Sequence, residues 1–363
     1  TAPAADRLPP SVAVVNPDWP APAVEHCATA HAITLSTAAA AVTVDKRQLR
    51  LAFTRPDGSP ITIDTPARGM GWMGAPAPDA PQPSAAGCFK SFAPDTHFYG
   101  FGQRTGHLDK RGTAMTLWNT DVVPHSPGTD AMYVSIPFFI ALSGGSAYGV
   151  FMDSTSRCTF NMGERPPVPA ATGMDVAVPT WPDVGHGEYW FGTARPELDY
   201  YFFAGPTVAD VVRAFSDLTG RMQLPPLWAL GYHQSRFSYC PESQVRAVAR
   251  SMRDADIPCD AIYLDIDYMD GFRVFTFDPA HFPDPAGLIS DLRADGFNVV
   301  AIVDPGVKID SAYPVYRTGR RRRAFVRRAA AGATAAAAQP YRGRVWPGAV
   351  VYPDFARADA IRQ

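Results

Sequence analysis

The sequence predicts two domains of different class: an all-β sandwich over residues 1–225, followed by the first part of a (β/α)8 barrel over residues 226–363. Three observations predict this. Short alternating apolar runs punctuated by Pro, Gly and Thr fill the first part. Apolar strands alternating with amphipathic helices fill the second, and Pro225-Pro226 marks the change from one pattern to the other. With 363 residues, 46% of them hydrophobic, the chain is long enough for two domains and a sizeable core.

In the first part, Val42 to Asp45, Leu49 to Phe53 and Ile61 to Ile63 alternate as half-buried strands do, and Pro56-Asp57-Gly58 supplies a turn between the latter two. Ile136 to Leu142 and Tyr148 to Met152, joined through Gly144-Gly145-Ser146, read as a hairpin. One short helix, about Val208 to Thr219, precedes the boundary.

The second part reads βαβαβ. Leu227 to Tyr232 is a short apolar run taken as the first strand, and Pro241 opens a helix whose apolar face is Val245, Val248, Ala249 and Met252. Ala261 to Leu264 is a buried strand that runs straight into Asp265, Asp267 and Asp270. Asp284-Pro285 is an N-cap and first-turn pair for a helix bearing Leu288, Ile289 and Leu292, with Gly296 as its left-handed stop. Phe297 to Val303 is the next strand, and it too ends in an acid, Asp304. Parallel strands with crossover helices leave a doubly wound sheet or a barrel. Residues 232–241 contain no glycine for a phosphate-binding turn, which favours the barrel. In both folds ligands sit at the carboxyl ends of strands, so the acids after Leu264 mark a substrate pocket.

Composition removes several classes. A net charge of −2 gives no footprint for nucleic acid, and the arginines at 320–323, 327 and 328 read as a solvated loop. Five cysteines without a Cys-x-x-Cys pair give neither a disulfide framework nor a zinc site. The Asp265-x-Asp267-x-x-Asp270-Gly271 spacing is one position late for a calcium loop, and no pair of histidines has metal-ligand spacing, so no cofactor or metal is expected. No apolar stretch approaches the ~20 residues of a membrane span. No signal peptide is visible after Thr1, but a start without Met leaves the compartment open, with a soluble, cytoplasmic setting slightly favoured.

Five ordered stretches carry a family resemblance: Tyr99 to Gln103, Leu117 to Asp121, Pro226 to Arg236, Asp265 to Asp278, and Gly343 to Gly348 with Pro353-Asp354-Phe355. They resemble family 31 glycoside hydrolases, the α-glucosidase family. The resemblance implies a galactose-mutarotase-like sandwich, a catalytic barrel and a retaining exo-acting α-glycosidase acting on the non-reducing ends of small oligosaccharides.

The resemblance also implies roles. Asp265 matches the acid that binds hydroxyls of the innermost sugar, and Asp121 matches a sandwich-loop acid over the barrel mouth. Trp346 matches an aromatic wall, Ile302 an apolar contact, and Asp304 stands beside it. Phe237 departs from the tryptophan that many members carry there, keeping a stacking surface but losing an N–H donor. The family's nucleophile lies in a Trp-x-Asp-Met-Asn-Glu type motif, and no such motif occurs among these residues. Nucleophile and acid/base are therefore expected beyond Gln363. This makes the chain a catalytically silent excerpt of an enzyme or, alternatively, a non-catalytic carbohydrate-binding remnant. Bland readings stand beside these: Asp267 and Asp270 as loop anchors, with Arg273 as a partner, and Asp304 as turn chemistry before Pro305.

Overall fold

The computed structural model describes residues 11–16, 22–66, 68–73, 85–163, 187–195, 197–328 and 339–357. The chain divides into two compact units, Thr1–Met222 and Gln223–Gln363.

The first unit is built from antiparallel β-structure. Strands β1 (Glu25–Ala28), β2 (Ala32–Ser36), β3 (Ala41–Asp45), β4 (Arg50–Thr54) and β5 (Pro60–Ile63) form a meander. The expected turn between β4 and β5 is present: Gly58 N donates to Arg55 O at 2.9 Å, and Asp57 Oδ1 accepts from Ser59 N at 2.9 Å. Next come β6 (Met70–Met73), β7 (Ala85–Ser91), β8 (His97–Gly102), β9 (Ala114–Leu117), β10 (Ser135–Ser143), β11 (Ser146–Met152), β12 (Cys158–Asn161), β13 (Glu188–Thr193) and β14 (Tyr200–Phe203). They form two sheets, ordered β6-β7-β13-β12-β9 and β14-β11-β10-β8. The predicted hairpin is β10 and β11; both turn glycines, Gly144 and Gly145, have positive φ, which glycine adopts without a Cβ clash.

Alternation along β10 explains the layering. Phe139 and Ala141 point into a core shared with Phe160 of β12 and Tyr189 of β13, to which the Phe139 ring lies edge-on at 6.0 and 5.6 Å. This is a sandwich of two sheets with interlocked aromatic rings. The opposite face, Phe138 with Phe151 of β11 and Phe203 of β14, is covered by helix α1 (Val208–Thr219), where Phe215 stacks on Phe138 at 3.9 Å. The helix approaches so closely that a Cβ on Gly149 would meet Val211 Cγ1 at 2.5 Å. Thr207 and Asp210 form a reciprocal capping box that fixes where α1 begins. Deep in this unit Lys90 Nζ and Asp64 Oδ1 pair at 2.6 Å with neither side chain exposed.

The second unit contains a parallel sheet ordered β15 (His233–Gln234), β16 (Ala261–Leu264) and β17 (Asn298–Ala301). Helix α2 (Glu242–Asp254) follows β15, and helix α3 (Pro285–Ala294) follows β16. Val245 and Ala249 of α2, Leu288 and Leu292 of α3, and Ile262 and Leu264 of β16 are buried together as the unit's core. Asp284 caps α3 as expected, its Oδ1 accepting from Gly287 N at 2.9 Å. One expectation is corrected. Leu227–Leu230 is a 3-10 turn rather than a strand, closed by Ala229 N to Pro226 O and Gly231 N to Trp228 O, and the strand follows at His233. The Pro225-Pro226 pair leads into the turn, and Leu227 and Leu230 stay 85% and 65% exposed, so that apolar run is not a buried strand.

After β17 the chain forms β18 (Val307–Lys308), helix α4 (Pro314–Arg321) and the hairpin β19 (Arg342–Val345) with β20 (Gly348–Val351), in antiparallel order β18-β20-β19. Val326 is wedged between the splayed ends of that hairpin: its N–H donates to Tyr352 O, and its carbonyl accepts from Tyr341 N, both at 2.8 Å. The Ala-rich residues 329–338 lie outside the described residues. The three parallel strands are a barrel portion, and no closed barrel is present among the described residues.

Candidate functional site

Three parallel strands deliver their carboxyl ends to one edge of the second unit. After β15 the chain runs Ser235-Arg236-Phe237, after β16 it reaches Asp265, and after β17 it reaches Ile302 and Asp304. Ile302 N donates to Leu264 O at 3.0 Å, which extends the β16–β17 pairing to the level of Asp265. The register thus fixes the two acids at neighbouring strand ends.

Asp265 is half-buried and begins a 3-10 turn over Ile266–Tyr268, its Oδ1 accepting from Ile266 N at 2.8 Å. Asp304 is also half-buried, and its carboxyl is held above the usual carboxylate range first by burial and then by the negative charge of Asp265. Burial, and then the Asp304 charge, push the Tyr268 hydroxyl up. Tyr268 donates that hydroxyl to Ile302 O at 2.9 Å, fastening one strand end to the next. Two carboxylates at neighbouring strand ends suit a ligand that offers several O–H donors.

An aromatic pair flanks the acids in the chain. Phe237 and Trp346 are 67% and 63% exposed, and their ring centroids lie 6.4 Å apart at 54°. Large rings so open to solvent, fixed by a strand end and a hairpin turn, offer flat apolar surface to a ligand rather than to the core.

The neighbouring acids have structural partners. Asp270 lies 3.5 Å from Arg273, whose Nη2 also contacts Asp310 Oδ2 at 2.7 Å. That bond holds the Asp310 carboxyl below its ordinary range. Asp278 likewise binds His281 Nδ1 at 2.8 Å. The loop-anchor reading therefore fits Asp270. Asp267 donates its backbone N–H to Ser238 Oγ at 3.4 Å, and its half-buried carboxylate adds to the negative character of this edge.

Of the residues singled out in the sequence, Phe237 is brought to Trp346, and Asp265 to Ile302 and Asp304, all within the second unit. Asp121 belongs to the first unit, exposed in the loop after β9 that Thr120 N ties to Met132 O at 3.0 Å. Tyr268 was missed; its signal is the tyrosine directly inside the acidic stretch. Among the described residues no group of three His, Cys, Asp or Glu side chains could hold a metal ion, and all five cysteines are free thiols. No helix among the described residues is long and apolar enough to cross a membrane.

A β-sandwich unit followed by parallel βαβ structure places this chain's candidate site at the carboxyl ends of barrel-type strands, where ligands bind in such folds. Two family models match: the N-terminal galactose mutarotase-like domain of glycosyl hydrolase 31 over residues 1–161, and the glycosyl hydrolases family 31 TIM-barrel domain over residues 222–363. The chain belongs to glycoside hydrolase family 31. It is 42% identical over 346 residues to alpha-glucosidase 2 of Bacillus thermoamyloliquefaciens, covering 95% of this chain and 39% of that protein. It is 31% identical over 270 residues to the alpha-glucosidase of Saccharolobus solfataricus, covering 74% of this chain and 35% of the relative. Among solved structures, a Flavobacterium johnsoniae family 31 dextranase complexed with glucose has the same fold, with a TM-score of 0.80 at 24% identity, covering 98% of this chain and 39% of that one. The chain thus spans well under half the length of these relatives.

Proposed function

We propose that this chain carries the sugar-recognition part of a retaining α-glycosidase that acts on terminal non-reducing α-linked sugars of small oligosaccharides. Asp265 accepts hydroxyl protons of the innermost sugar, and Asp304 and Ile302 line the same edge. The Trp346 and Phe237 rings hold the flat faces of the sugar and its leaving group. The observation that carries the reading is the pair of half-buried acids, Asp265 and Asp304, at the ends of adjacent parallel strands, the Asp304 carboxyl being raised by burial first and by the Asp265 charge second. The α-glucosidase relatives support it.

Retaining glycosidases need two catalytic carboxyl groups about 5 Å apart. The family's Trp-x-Asp-Met-Asn-Glu type motif does not occur in these residues, so this chain by itself binds sugar without turning it over. Saturation-transfer NMR tests the binding: maltose and glucose give ring-proton transfer from the chain, and an acyclic polyol of equal size does not. Release of p-nitrophenol from its α-glucoside stays at the buffer rate. Turnover would place the nucleophile among the residues present, and equal transfer to the polyol would remove the sugar site.

A further inference from the structure

Between Asp310 and Asp354 the chain contains nine arginines and no Asp, Glu or Lys. That segment is +9 in a chain of net charge −2, which leaves −11 for everything else. Eight of the nine are exposed: the run Arg320–Arg323, with Arg317, Arg328, Arg342 and Arg344. Among the described residues none of these eight forms an ion pair. Helix α4 accounts for part of the pattern, since arginines in its last turn favour the helix dipole. A single C-terminus does not call for arginines on the following segment and on β19 as well. The pieces are joined by hydrogen bonds: Arg328 N donates to Gln339 O at 3.0 Å, and Tyr341 N donates to Val326 O at 2.8 Å. On β19 Arg342 and Arg344 are two residues apart and share a face, and the strand leads directly into Trp346.

We infer that the substrate is an anionic glycan, an α-glucoside whose remaining units carry phosphate, sulfate or carboxylate groups, with the arginine face gripping the chain beyond the sugar that sits against Trp346. This rests on the sugar-site reading proposed above. The position of the arginines selects the ligand. They continue the hairpin that bears the exposed aromatic ring, so a glycan entering end-on passes from Trp346 to Arg344 and Arg342. A lipid surface fits less well, because α4 spends its apolar residues Val315 and Tyr316 on the core, Tyr316 stacking with Phe325 at 6.0 Å. A nucleic acid fits less well in a chain whose residues outside this segment sum to −11.

Calorimetric titration of the chain with maltoheptaose, sulfated maltoheptaose and inorganic polyphosphate tests this at low and high salt. Sulfated maltoheptaose binds about 10-fold or more tighter than the neutral sugar at low ionic strength, and the advantage collapses once the Debye length falls to ~3 Å near 1 M salt. The affinity ratio moves toward one in R342Q/R344Q, and separately in R321Q/R322Q, each confirmed folded by circular dichroism. Equal affinity for sulfated and neutral sugar, with both binding, overturns this inference and leaves the sugar site standing. Failure of both sugars to bind overturns the sugar site itself. Polyphosphate that binds as tightly as sulfated maltoheptaose makes the face a sugar-independent polyanion surface, which also overturns the inference.

Discussion

Replacing Lys90 by Met tests what holds the sandwich together. The ammonium is fully buried, donates to Asp64 Oδ1 at 2.6 Å, and lies 5.0 and 5.5 Å from the ring centroids of Phe53 and Tyr200. Asp64 keeps two other donors, Leu51 N to its Oδ2 at 2.9 Å and the weaker Cys88 Sγ to its Oδ1 at 3.5 Å. Lys90→Met thus leaves a carboxylate in the core with one backbone N–H and one weak thiol donor and no counter-charge, and breaking a buried pair from one side costs about 3–5 kcal/mol. For a unit of this size that lowers Tm by roughly 6–20 °C, taking about 2–4 °C per kcal/mol. Asp64→Asn costs less, because the two ring faces still hold the cation. The double variant loses less than the sum of the singles. Burial alone would lower the Lys90 pKa, but the charges that Cys88, Tyr200 and Asp64 can carry outweigh it and raise it above the ordinary 10.5. A lysine raised on folding stabilises fully below 10.5, and that stability is lost as pH climbs through the folded value. Urea titration and thermal melts by circular dichroism read all of this. A Lys90→Met protein within about 1 kcal/mol of wild type, below the ~3–5 kcal/mol for a broken buried pair, would refute the reasoning.

The other predictions concern single devices. Thr207→Ala removes one arm of the α1 capping box and costs about 1 kcal/mol in urea unfolding; Thr207→Ser restores it. Asp304, raised above 3.8 by burial and Asp265, makes its ionisation unfavourable in the folded state, so wild type loses stability as pH rises from the unfolded value through the folded one. Asp304→Asn therefore gains relative stability as pH rises through that window, and melts that track wild type at every pH would contradict the coupling. Arg273→Ala frees the loop carrying Asp270, and amide exchange from Asp270 to Phe275 should accelerate while α1 protection is unchanged.

Much of this architecture is written in local chemistry. Thr207 with Asp210 places α1, Asp284-Pro285 places α3, and Gly144-Gly145 places the β10–β11 turn, because each is satisfied within a few residues. The acids after β16 and β17 were legible because an apolar strand run that ends in carboxylates has no packing reason to do so. What was not legible depends on distant partners. Leu227 to Tyr232 reads as a strand by its apolar residues, and only its exposure and turn hydrogen bonds show a 3-10 turn. Lys90 on a strand reads as a surface residue until Asp64, 26 residues earlier in the chain, is seen against it. The approach of Phe237 to Trp346 needs the hairpin β19–β20 to fold back beside β15, which no local pattern encodes.

The most direct test of the sugar site is the affinity of wild type and Asp265→Asn for maltose, measured by calorimetry at neutral pH. A hydrogen bond to a charged group contributes about 1.5–3 kcal/mol, so the account predicts roughly 10- to 150-fold weaker binding in the variant, at about 1.4 kcal/mol per tenfold. Affinities equal within about twofold, in a variant with an unchanged circular dichroism spectrum, would contradict it.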